Sequence, residues 1–160
     1  MASGPRSRTA ATTEPTCSIE RTLRIVGDRW TLLVLREALI QRRSRFADFM
    51  QVLGIAPTVL TNRLETLVDA GVLEKRPYRD GGSRSRFSYH PTPSGEELVM
   101  VLGALQQWGD DHVAPEGGPT SLRRTASQNR PLSVAFVDDD GRSVPPSEVV
   151  FVGRPESRTG

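Results

Sequence analysis

Apolar residues recur at helical spacing between residues 17 and 114 and lose that rhythm on either side. Ile19, Leu23 and Val26 mark a first short helix. Asp28 stands where a cap is needed for a second, from about Arg29 to Ile40, with Trp30, Leu32, Leu33, Leu35, Leu39 and Ile40 expected mostly inward. Ser44 is expected to cap a third helix, in which Phe46, Phe49, Met50 and Leu53 fall at i, i+3, i+4, i+7 and Gly54 is the stop. Pro57 suits the first position of a fourth helix, with Leu60, Leu64, Leu67 and Val68 as its buried stripe and Gly71 at its end. Two strand-like runs follow, LEKRPYR and RFSYH, joined by the turn DGGS as a hairpin with a flexible basic tip. Residues 94–113 read as one last helix, with Leu98, Val101, Leu102, Leu105 and Trp108 on one side.

This order, with the third and fourth helices separated by a few residues around Gly54, is the layout of a helix-turn-helix followed by a wing. The expected fold is mainly α with a small β-hairpin wing (α+β), a winged helix-turn-helix with a short C-terminal β-hairpin appendage. Residues 1–16 are small and polar without periodicity and read as a disordered arm. Residues 17–114 form the winged domain. Residues 115–160 hold half of the chain's 12 prolines and open on the linker-like PEGGPTS. Within them Leu132, Val134 and Phe136 alternate, Asp140-Gly141 offers a turn, and Val149–Val152 is expected to pair back.

Composition bounds the chemistry. The chain has 160 residues, 36% hydrophobic and 25% charged, which suits one small core and little more. No run spans a bilayer and the N-terminus lacks a signal-like apolar stretch, so a cytoplasmic protein is expected. A single cysteine, Cys17, leaves no internal disulfide framework, and two histidines, His90 and His112, leave little for a metal centre; neither cofactor nor metal is expected. No Ser-His-Asp, Cys-His, paired-carboxylate or phosphate-loop arrangement stands out, so no enzyme is expected. The run Asp138–Asp140 reads as a solvated turn. The net charge of +2 hides an asymmetry: residues 42–86 carry nine basic and five acidic side chains, whereas residues 87–114 carry four acids and no Lys or Arg. Such a split suits one face turned to phosphate and another kept from it.

Several ordered motifs carry a resemblance. They are Cys17-Ser-Ile-Glu-Arg21, Gly27-Asp-Arg-Trp-Thr-Leu-Leu-Val-Leu-Arg-Glu37, Arg45-Phe46-Ala-Asp-Phe49 and Ile55-Ala-Pro-Thr-Val-Leu-Thr-Asn-Arg-Leu64. Gly71-Val-Leu-Glu-Lys-Arg76, Tyr78 and the exit Tyr89…Thr92-Pro-Ser-Gly95 complete them. Over roughly residues 17–112 the sequence resembles the HxlR-type winged helix-turn-helix transcriptional regulators of bacteria, relatives of the MarR group. The resemblance implies a homodimer that binds a palindromic operator in double-stranded DNA, answers a small-molecule or redox signal, and has no membrane partner. A reused winged-helix fold, acting as a small-molecule-binding or biosynthetic-pathway protein with little DNA binding, is the alternative. The chain departs from the family pattern at Ala56, where a capping Ser is usual, and at Pro91 and Ser94, expected to loosen the wing exit. It departs again at residues 137–149, where longer relatives often carry a Cys knuckle.

On the fourth helix Thr58, Val59, Thr61, Asn62 and Arg63 are the expected groove readers. Asn pairs bidentately with adenine, Arg with guanine, and Thr or Val meets a thymine methyl. Thr61 and Arg63 also read as plain helix surface, with Arg63 paired to an acid. Arg76, Arg79, Arg84 and Arg86 flank the wing tip, within reach of phosphates or a minor groove. Arg29 and Arg45, each at a helix start, read as phosphate clamps; Arg29 is equally able to pair with Asp28 or Glu37. Ile19, Leu23, Leu98, Leu102, Leu105 and Trp108 are the expected dimer surface, with packing inside one subunit as the other reading. The residues favour a buried packing thiol for Cys17; the resemblance keeps a redox sensor open, with Arg21 and Arg24 near enough to activate the thiol.

Overall fold

The computed structural model describes residues 17–79 and 85–153. The chain divides into two compact units, residues 1–99 and 100–160. The boundary between the units lies near the start of the last long helix.

The first unit holds α1 (Ser18–Val26), α2 (Arg29–Leu39), α3 (Phe46–Leu53), α4 (Pro57–Asp69), β1 (Leu73–Tyr78), β2 (Arg86–Pro91) and α5 (Pro93–Glu97). Asp28 caps α2 as expected, its Oδ1 accepting from the backbone N–H of Trp30 at 2.9 Å and of Thr31 at 3.3 Å. The buried face of α2 is Thr31, Val34, Leu35, Ala38 and Leu39, a comb at i, i+3, i+4, i+7, i+8. That differs from the expected set: Trp30, Leu32 and Leu33 are half-buried and Ile40 is exposed. The leucines alone gave the wrong phase, because the comb begins on a threonine whose hydroxyl does not look apolar.

Ser44 does not cap α3. Arg45 holds the cap position without a side-chain bond. Ser44 instead lies extended against the wing, its carbonyl accepting from Tyr89 N–H at 2.8 Å, and Arg45 bridges Ser88. Residues 44 and 45 thus add a rudimentary strand beside β2, which pairs antiparallel with β1 from Leu73↔Pro91 to Tyr78↔Arg86. This leaves β1 at the edge, where Pro77 costs no ladder bond. Gly54 ends α3 in the left-handed region at φ +58, and Pro57 begins α4. Leu60, Leu64 and Leu67 on α4 are fully buried with Phe49 of α3 and Leu35 of α2, so the helix-turn-helix shares one core.

The last helix is broken. Leu98 N–H bonds the carbonyl of Gly95 rather than continuing the α-helical ladder, which separates α5 from α6 (Val99–His112). The wing exit is not loosened. Thr92 caps α5 at Gly95 N–H and donates to the Gly71 carbonyl at 2.6 Å, and Ser94 donates to the same carbonyl at 3.1 Å. The hydroxyl at residue 94 replaces an apolar contact with a hydrogen bond to the end of α4.

The second unit contains α6, the hairpin β3 (Phe136–Val137) and β4 (Ser143–Val144), and a 3₁₀ turn at Pro146–Glu148. The Asp140-Gly141 turn is present, with Gly141 at φ +78. The pairing partner differs from expectation: β3 pairs with Ser143–Val144, and Val150, Phe151 and Val152 stay exposed. Asp138 explains why. Its Oδ1 accepts from Asp140 N–H and Arg142 N–H, and its own N–H bonds the Arg142 carbonyl. The chain therefore reverses at once, and Pro145-Pro146 ends the pairing before residue 149.

Candidate nucleic-acid interface

Burying Leu60, Leu64 and Leu67 turns the opposite side of α4 outward. Thr58, Thr61 and Asn62 are exposed there, and Val59 is half-buried beside them. Ala56, at the cap position, has no side chain able to accept, so the first α4 amides are uncapped by their own chain.

Arg63 takes a different direction. Its Nε lies 3.1 Å from Asp28 Oδ1. The contact is an ion pair without hydrogen-bond geometry, on the same Oδ1 that accepts two α2 amides. The pairing with an acid is therefore the reading that the structure bears out. One carboxylate caps α2 and holds α4.

The remaining cations fall into two groups. Arg29 stacks on its neighbour Trp30 at 4.6 Å, and among the described residues no ion pair joins it to Asp28 or Glu37. Arg45 lies over Tyr78 at 5.0 Å, and Lys75 over Phe87 at 4.2 Å. Each ring fixes a cation at the base of the wing or at a helix start. Arg76 is ion-paired to Glu74, two residues back on the same strand. Arg79 and Arg86 are exposed at the distal ends of β1 and β2. Arg84 lies outside the described residues.

Sequence reasoning missed the most buried charge of the unit. Glu37 is 2% exposed, and its carboxylate accepts from Arg36 at 2.6 and 2.8 Å and from Arg43 Nε at 2.8 Å. Arg43 N–H also bonds the Glu37 carbonyl. This node ties the end of α2 to the segment that carries Ser44 and Arg45. The partners lie one and six residues away across a helix end, a spacing with no helical or strand periodicity to reveal it. A second tie, Arg42 to Glu96 at 2.5 Å, joins the same segment to α5.

Of the expected dimer surface, Ile19, Leu23, Leu105 and Trp108 are exposed and Leu98 is half-buried. Leu102 is buried at 8%, so it packs within its own chain. Cys17 is a free, exposed thiol at the cap position of α1, which overturns the buried packing reading. Arg21 bonds Ser18 and Arg24 pairs with Glu20. His90 bonds Ser88, and His112 leans on Trp108. Among the described residues no group of His, Cys, Asp or Glu is arranged to hold a metal, and no helix is long and apolar enough to cross a membrane.

The family model described as HxlR-like helix-turn-helix matches residues 25–117, more than half of the chain. The chain belongs to that family. Two relatives named as uncharacterized HTH-type transcriptional regulators, from Mycobacterium bovis and Mycobacterium tuberculosis, are each 41% identical over 107 residues. Those alignments cover 66% of this chain and 66% of each relative, just under two thirds. Among solved structures, the transcription-factor candidate PA1607 superposes with a TM-score of 0.75 at 27% identity, covering 86% of this chain and 94% of its own. A second candidate, PA1374 from Pseudomonas aeruginosa, gives 0.63 at 36% identity, covering 89% and 96%. Both superpositions take in more of the chain than the family segment, and they establish the winged-helix fold.

Proposed function

We propose that this HxlR-family protein is a dimeric, sequence-specific DNA-binding transcriptional regulator. The observation that carries the reading is the outward face of α4. Thr58, Thr61 and Asn62 stand exposed over a fully buried leucine stripe, one left-handed glycine turn after α3. That is the disposition of a recognition helix. Thr58, Val59, Thr61 and Asn62 read base edges, and Arg63 positions the helix through Asp28. Arg29 and Arg45, held by their rings, contact phosphate, and the wing reaches the backbone through Arg76, Arg79, Arg84 and Arg86. The names of the relatives and of the superposed structures support regulation over a reused fold without DNA binding.

Two copies placed on a palindrome need a surface, and Ile19 and Leu23 of the first unit, and Leu105 of the second, supply exposed apolar side chains for it. A signal acts by shifting the spacing of the two recognition helices. Cys17, exposed at the start of α1, is one entry point for it.

The test is fluorescence anisotropy with duplexes from the gene's own upstream region across a salt series. Saturable binding with a steep salt slope is expected. Asn62→Ala should relax preference at one base pair, whereas Arg79→Ala and Arg84→Ala should weaken all duplexes alike and flatten the slope by about one unit per lost phosphate contact. Equal affinity for random duplex refutes the reading.

A further inference from the structure

We infer that the second unit contains a binding cleft for a flat aromatic cation. A cleft of about 440 Å³ opens between the C-terminal half of α6 and the β3–β4 hairpin. Trp108 and Phe136 lie on its walls, both largely exposed at 60% and 50%, with Val144 beside them. Its volume falls within the range of small-molecule sites.

The walls are held in place. The Gln107 side-chain amide donates to the Val134 carbonyl at 2.9 Å and accepts from Val134 N–H at 2.8 Å, completing a strand-like pair between a helix and an extended segment. One turn earlier Gly103 allows this approach, since a Cβ there would stand 3.1 Å from Val134 Cγ2. Arg123 pairs with Asp110 at 2.9 Å and fastens the preceding segment to the same helix.

The electrostatics select the ligand. Asp110 is neutralised by Arg123, but Asp111 lines the cleft with no cationic partner among the described residues, and no Lys or Arg is among the lining residues. The C-terminal carbonyls of α6 add partial negative charge at the same end. Two exposed aromatic faces beside an unpaired carboxylate favour a planar cation, through stacking, cation–π attraction and the ion pair together. His112, leaning on Trp108 at 5.1 Å between ring centroids, also lines the cleft.

The test is calorimetric titration of the full chain without DNA, using 9-aminoacridine as the cation and acridine as its neutral parent, at pH 8. The cation should bind about tenfold more tightly than the neutral ring. Asp111→Asn, at an exposed position, should remove that preference and leave acridine binding unchanged. Gln107→Ala should weaken both ligands by unfastening the wall. Equal binding of the two ligands, a preference that survives Asp111→Asn, or no heat with either ligand overturns the proposal. So does sedimentation showing that Trp108→Ala dissociates a dimer, because the face would then belong to a second copy. That such a ligand acts as an effector rests on the regulator reading. Its binding does not, and because no DNA is present either idea can fail alone.

Discussion

Asp28 serves two elements at once, and substitutions at this residue separate the two roles. Asp28→Ala removes the α2 cap and the partner of Arg63 together. Losing a cap of this kind costs about 1 kcal/mol. The ion pair is partly solvated, with 33% and 38% of the two side chains exposed, so it adds only about 0.2–1 kcal/mol. The alanine variant should therefore lose roughly 1.5 kcal/mol. Asp28→Asn keeps an acceptor for Trp30 and Thr31 N–H and loses only charge, so it should cost about half as much. Urea unfolding monitored by circular dichroism reads both, through shifts of midpoint at constant slope. A cycle with Arg63→Met isolates the pair, with an expected coupling of about 0.5 kcal/mol. Operator binding supplies the functional half. As a positioning residue, Arg63 should lower affinity for all operator variants by one common factor. A base reader would instead relax a single position by about 1–3 kcal/mol. Zero coupling in the cycle, or equal losses for Asn and Ala at residue 28, refutes the reasoning.

Three further outcomes are expected. Ala56→Ser should raise stability by about 0.5–1 kcal/mol, because a hydroxyl at that cap reaches the α4 amides; thermal unfolding showing no rise in Tm counts against the bare cap. Gly95→Ala should destabilise the first unit by roughly 2 kcal/mol even after the helix preference of alanine is credited, since the new Cβ would stand 2.0 Å from the Val72 backbone carbonyl oxygen; an unchanged urea midpoint rejects that account. Burial first, and the nearby Glu65 carboxylate second, raise the Tyr89 hydroxyl above its ordinary value of 10.0. The unfolded chain then loses this proton first, so the stability is present below about pH 10 and is lost as pH rises through the folded value. Tyr89→Phe should flatten that alkaline limb, and an identical pH dependence in both proteins refutes it.

The elements that periodicity and punctuation specify were legible in the sequence. Asp28, Gly54 and Pro57 mark helix ends by chemistry that acts on their own backbone, and the structure places the ends there. The leucine stripe of α4 repeats at helical spacing, and its burial follows. The misreadings lie where a residue's partner is remote. Ser44 has the right side chain for a cap, yet the wing strand claims its backbone, and nothing in residues 40–50 announces that strand. Val149–Val152 is as apolar and β-prone as Phe136–Val137, but the Asp138 turn gives the pairing place to the nearer residues.

The same distinction governs the candidate interface. Its exposed face could be read, because a helix that buries Leu60, Leu64 and Leu67 must turn Thr58, Thr61 and Asn62 outward. Its charges could not be read, because an arginine's role depends on which acid or ring it meets. Arg63 suits guanine in a groove and suits an acid on its own chain, and the fold brings Asp28 to it. Nothing in the spacing of Glu37 shows that Arg36 and Arg43 close over it. A local excess of arginine therefore overstates the charge available to DNA. Arg36, Arg42, Arg43, Arg63 and Arg76 each meet a carboxylate, and Arg29, Arg45 and Lys75 each lie over an aromatic ring. The salt slope should therefore fall short of the full count of arginines.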